Sequence, residues 1–131
     1  ANWHYVENID PMTDTDNSIV ATADGRSKAL MFNCRDGEMV LLMKFDYLGS
    51  KANSIKVRFD KEKPFDITGG ISTNGNTIFI NPEHISDFTA KAIKHSKLAV
   101  LTSDYNGTPV RASYSLVGFA DKINKLSCYS K

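Results

Sequence analysis

Two cysteines, three histidines and four arginines are the side chains with the widest chemical reach in this chain. Cys34 ends the apolar run Leu30-Met31-Phe32-Asn33, and Cys128 follows an amphipathic stretch close to the last residue. Neither sits in a C-x-x-C pair and neither has a histidine at metal-ligand spacing, which argues against zinc and against any other metal site. An even count, with one thiol near a strand end and one in the tail, fits a disulfide that pins a last helix onto a sheet. Two reduced, buried, inert thiols are the alternative. The loop a disulfide would close is about 94 residues long, and the chain-entropy account assigns it about 4–5 kcal/mol.

Catalytic patterns are missing from the sequence. It holds no G-x-S-x-G, no Walker-type glycine loop, no dinucleotide fingerprint and no H-E-x-x-H, so no cofactor is expected. His4, His84 and His95 stand in three different contexts, and the eleven residues between the last two are about three helical turns, too far for ligands on adjacent turns. A Cys–His nucleophile built on Cys34 requires a free thiol and so competes with the disulfide. The carboxylate pairs Asp14 with Asp16 and Asp60 with Glu62 lie in turn-like sequence, where Asp serves to bond backbone amides.

Arginine is scarce: four of the sixteen basic residues, the rest being lysine. Arg35 follows the first cysteine, while Arg58 and Arg111 sit inside strand-like stretches among apolar neighbours. A guanidinium offers a planar fork that fixes a carboxylate, a phosphate or a carbonyl. The three therefore form a candidate binding set; the plainer reading is that each lies over its own strand or anchors a loop. Asn106-Gly107-Thr108 matches a glycosylation acceptor, but it is also the composition of a hairpin turn.

The elements that must position these residues follow from periodicity. Ala1–Val6 carries the single Trp3 in an alternating stretch. The segment 10–17 is a polar loop, and Ser18–Ala23 and Lys28–Cys34 flank the Asp24-Gly25 turn. Asp36-Gly37 leads into the apolar 38–48 stretch. In Ser54–Phe59, Ile55, Val57 and Phe59 alternate with polar residues, as on a sheet with one wet face. Pro64, Gly69 and Gly70 mark 65–72 as a short or edge strand, paired through Asn74-Gly75 with Thr77–Ile80. Asn81 and Pro82 then open a helix with Ile85, Phe88, Ala92 and Ile93 on one face. A hairpin of 97–105 and 109–116 follows. Leu116, Phe119, Ala120, Ile123 and Leu126 mark a last helix that delivers Cys128.

The fold expected is therefore mainly β (α+β): an antiparallel sandwich or curled sheet with one middle and one C-terminal helix, in a single domain over residues 1–131. A net charge of +1 without blocks of like charge excludes a general nucleic-acid binder. The longest strongly apolar run, 39–43, is far short of the about 20 residues a membrane span needs. Ala1 in first place is what signal-peptide cleavage often leaves, and equally what simple trimming would leave; the expectation of export rests mainly on the disulfide.

The ordered set Trp3; Asp10-Pro11 with Thr13-Asp14; Leu30 with Cys34-Arg35; Val57 and Phe59 around Arg58; Ser72-Thr73-Asn74-Gly75 with Phe79; Arg111 before Tyr114; Gly118; and Cys128 resembles the VasI/TagO family of type VI secretion-associated proteins. More loosely it is similar to invasion-associated locus B proteins, with relatives in phages and prophages. The chain departs from the VasI/TagO pattern at Gly69-Gly70-Ile71, where that family carries an aromatic. The resemblance implies a periplasmic or secreted protein with a sandwich-like fold and no established enzymatic activity, in which Trp3, Phe79 and Gly118 belong to the structural core. The function expected is that of a non-catalytic binding or adaptor protein, accessory to a type VI secretion system. Its partner would be a protein or cell-envelope component, met through Arg35, Arg58 and Arg111. A phage or prophage envelope inhibitor and a small cell-wall hydrolase are the competing readings.

Overall fold

The computed structural model describes residues 2–129; Ala1, on which the expectation of a cleaved leader rested, lies outside them. Nine strands form one antiparallel sheet: β1 His4–Val6, β2 Ile19–Asp24, β3 Lys28–Arg35, β4 Glu38–Lys44, β5 Ser54–Phe59, β6 Phe65–Ile71, β7 Thr77–Ile80, β8 Lys97–Ser103 and β9 Pro109–Ser115. Their order across the sheet is β1-β2-β3-β4-β7-β6-β5-β8-β9. Two helices, α1 Pro82–Lys94 and α2 Phe119–Ile123, complete the chain. Of the two architectures anticipated, the curled sheet is the one formed.

The alternation in β5 appears as expected, with Ile55, Val57 and Phe59 buried and Ser54, Lys56 and Arg58 exposed. The inner face closes on α1 through Ile85, Phe88, Thr89 and Ala92. An aromatic chain runs through this core: Trp3 on Phe119 at 4.7 Å between centroids, Phe119 on Phe32 at 4.9 Å, Phe32 on Phe88 at 6.1 Å, and Phe88 on Phe59 at 5.2 Å. Side chains of this size supply most of the burial free energy of a small domain.

β6 is not an edge strand. It lies between β7 and β5, and its glycines are there for a steric reason. A Cβ on Gly69 would collide with the Phe79 carbonyl oxygen, so only glycine allows β7 to pair at that position. Phe79, expected in the core, is 36% exposed, because strand parity turns Ile78 and Ile80 inward instead. Gly118 is also outside the core: it is exposed and takes a φ of 88° as the residue that starts α2, a conformation glycine adopts without strain. Trp3 is buried as anticipated. The last helix is shorter than the 116–126 periodicity suggests, although Leu116, Phe119, Ile123 and Leu126 are all buried.

The sheet is open but curls until β9 meets the other end. The β9 rim is bonded by side chains rather than by a strand. Lys28 Nζ donates to the Arg111 carbonyl at 2.6 Å, and the Ser113 amide donates to Asp24 Oδ2 at 2.8 Å. Trp3 Nε1 donates to the Ser115 carbonyl at 2.7 Å.

Candidate functional site

The two sulfurs are joined. Cys34 and Cys128 form a disulfide across a sequence separation of 94, with their Cα atoms 5.7 Å apart. Among the described residues no cysteine is free, and no group of three His, Cys, Asp or Glu side chains stands close enough to hold a metal. No helix among them is long and apolar enough to cross a membrane. Cys34 is fully buried at the end of β3. The tail that brings Cys128 is held a second time by Ser127 Oγ, which donates to Asp16 Oδ2 at 2.7 Å. Hydrogen bonds from Ser18 and then Ser127 hold the Asp16 carboxyl below its ordinary value.

The histidines lie apart. His4 is exposed on β1, and His84 Nε2 lies 3.0 Å from Thr68 Oγ1. His95 Nδ1 donates to the Lys91 carbonyl at 2.6 Å while its Nε2 faces Glu62 Oε2 at 3.1 Å. Those contacts, the Lys91 carbonyl first, raise the His95 pKa. Asp60, one of the carboxylates considered for acid–base work, accepts the Ser96 and Lys97 amides. This is backbone capping, as its turn context indicates.

Two of the three candidate arginines share a surface. Arg58 on β5 and Arg111 on β9 both line a shallow groove of about 360 Å³ on the outer face of the sheet. Its floor is apolar, from Ala99 and Leu101 on the outer face, with Val57, Val100 and Ala112 turned into the core behind them, and its rim carries Asp24 and Lys56 beside the arginines. The register explains the convergence: Arg58 pairs with Ala99, and Leu101 pairs with both Arg111 and Lys56, so small and apolar β8 side chains lie between basic ones. Arg58 is in part an anchor, since its Nε and Nη2 donate to the Glu62 and Lys61 carbonyls at 2.9 and 3.1 Å. Arg35 lies elsewhere, opposite Glu38 in the β3–β4 hairpin, and its Nε donates to Asn33 Oδ1 at 3.0 Å.

Sequence reasoning missed a larger feature beside that groove. A cleft of about 710 Å³ opens between the 47–54 segment and the β8–β9 hairpin, sharing Lys56 and Leu101 with the arginine groove. At its mouth Tyr47 and Tyr105 meet edge to face, centroids 5.7 Å apart and planes at 60°. They are 60% and 69% exposed. The available signal was two tyrosines, each within two residues of a loop glycine, Gly49 and Gly107. Nothing in the sequence shows that the two loops meet.

The architecture is that of a disulfide-closed, curled antiparallel sheet with its helices on the inner face. The same fold occurs in invasion associated protein B from Bartonella henselae, whose crystal structure matches with a TM-score of 0.62 at 9% sequence identity, over 95% of each chain. The chain matches no protein-family model, and no curated protein matches it in sequence. The structural likeness establishes the shared fold, in line with the looser of the two resemblances noted from sequence.

Proposed function

We propose that this chain is an exported, envelope-associated binding protein that works without catalysis. The observation that carries the reading is the Cys34–Cys128 bond, since such bonds persist in oxidising compartments and are rare in the reducing cytosol. The fold shared with invasion associated protein B supports it. Several side chains considered for catalysis are engaged otherwise: the thiols in the disulfide, Asp60 on backbone amides, and His95 on the Lys91 carbonyl. The finer reading, from the VasI/TagO resemblance, is an accessory of a type VI secretion system that docks a protein or cell-wall component on the groove between Arg58 and Arg111. Its apolar floor with a basic rim suits a partner segment that is apolar at its centre and carries carboxylates at its margin.

Because Arg58 also holds the 61–62 carbonyls, the informative variant is Arg111→Glu, which reverses charge in the groove and leaves that residue's backbone bonds in place. The variant should keep the parental melting temperature yet lose its envelope partner in a cross-linking pull-down. Undiminished recovery of that partner would remove the groove from the proposal. Alkylation of acid-quenched cells, followed by intact mass, tests export: both sulfurs should accept label only after reduction.

A further inference from the structure

The cleft beside Tyr47 and Tyr105 lies outside the core and adjoins the arginine groove, with which it shares only Lys56 and Leu101. Two large aromatic side chains this exposed contribute little to burial, yet the backbone beside each is tied down by hydrogen bonds. Tyr47 stands between Phe45 and Leu48, which are each 1% exposed. The Phe45 and Leu48 amides donate to the Asn76 and Gly75 carbonyls at 2.7 and 2.6 Å. Tyr105 rides on a turn closed by Asp104, whose Oδ1 accepts the Asn106 and Thr108 amides at 2.9 and 3.0 Å.

Glycine lies against each tyrosine, Gly75 at the Tyr47 ring and Gly49 at the Tyr105 Cβ. A Cβ on Gly75, which has a φ of +75°, would come within 2.5 Å of Tyr47 Cε1, and one on Gly49, at +94°, within 2.9 Å of Tyr105 Cβ. Two loops distant in sequence thus give up side chains where the tyrosines lie down. The result is a corner of two exposed aromatic rings, the edge of one against the face of the other, at the entrance to a cleft of ligand size.

The lining selects the ligand class. Lys51 and Lys56 are matched by Asp66 and Asp104, and Lys56 Nζ lies 3.7 Å from Asp66 Oδ1, so the cleft carries no surplus charge to attract an anion. β5 and β8, which border it, are both paired on each side within the sheet, so it exposes no edge on which a peptide could add a strand. Asn53, Ser54 and Ser103 add amide and hydroxyl groups to the wall. Ring faces at an angle, with neutral hydrogen-bonding groups and paired charges behind them, suit a molecule with flat C–H faces edged by hydroxyls. The electron-rich face of an aromatic ring attracts such weakly positive hydrogens.

We propose that the Tyr47–Tyr105 cleft binds a neutral oligosaccharide built of β-linked, equatorially substituted pyranoses. This goes beyond the protein or cell-wall component assigned to the arginine groove and stands or falls separately from it. The test is titration of the full chain, labelled with nitrogen-15, by cellotetraose and by chitotetraose at millimolar concentration. Saturable amide shifts centred on Gly49, Gly75 and Asn106 with either sugar are expected. Tyr47→Ala and Tyr105→Ala should each weaken binding about tenfold, while Tyr47→Phe and Tyr105→Phe, which keep the rings and the fold, should retain it. Arg111→Glu should bind sugar unchanged. Absence of shifts with both sugars, or binding that survives removal of both rings, overturns the assignment.

Discussion

Trp3 and Ser115 are joined by a hydrogen bond of 2.7 Å across a sequence separation of 112, from the indole N–H to the carbonyl at the end of β9. Their contact closes the curl of the sheet, and the same indole packs on Phe119 and Phe32. Trp3→Phe keeps a ring in the core but removes the donor and leaves a void. Losing a partner for a half-buried carbonyl and part of a buried aromatic together should cost about 2 kcal/mol or more. Urea unfolding monitored by far-ultraviolet circular dichroism measures it. A change below about 0.5 kcal/mol, the range of ordinary surface substitutions, would show that the seam is held without Trp3.

Removing the cross-link should be the most damaging small change. Cys34→Ala with Cys128→Ala frees the tail, and the entropic account for a closed loop of this length gives a loss of about 4–5 kcal/mol. Stability would fall further from the truncation at Cys34, which is fully buried. The double variant should unfold at much lower urea, as should the parent under reductant. Coinciding unfolding curves for parent and variant would mean that Ser127, Asp16 and the packing of Leu126 hold the tail unaided.

Stability should also depend on the protonation of His95. Its folded pKa lies above the ordinary 6.5, first because Nδ1–H donates to the Lys91 carbonyl and then because Glu62 faces Nε2, with Asp60 adding a smaller attraction. A raised folded pKa means that the protonated ring is favoured in the native state. The contribution is complete below 6.5 and disappears as pH climbs through the folded value. Urea midpoints should therefore decline from mildly acidic to mildly alkaline pH, and His95→Gln should flatten that decline. An equal decline in the variant would assign it to other groups.

Much of the fold was legible in local pattern. Ile55, Val57 and Phe59 announced a sheet with one wet face, Asn74-Gly75 announced a hairpin, and the two isolated cysteines announced their bond. What escaped was whatever depends on a neighbour distant in sequence. Gly69 looked like a reason to place β6 at an edge, whereas it answers the Phe79 carbonyl of the adjacent strand. Phe79 was misplaced because a resemblance outweighed the parity of Ile78 and Ile80, which its own strand displays. Arg58 and Arg111 were singled out by residue type, but their common groove depends on β8 lying between their strands. Tyr47 and Tyr105 drew no notice because each sits in an ordinary loop, and only the folded chain brings those loops together.

The final strand has one more consequence. Bare rims of sheets recruit foreign strands and seed fibres. Here Lys28, Asp24 and Trp3 already occupy the outward positions at Arg111, Ser113 and Ser115. A second molecule arriving at that rim would have to evict three native bonds before laying down its own, so self-templated polymerisation through β9 starts at a disadvantage.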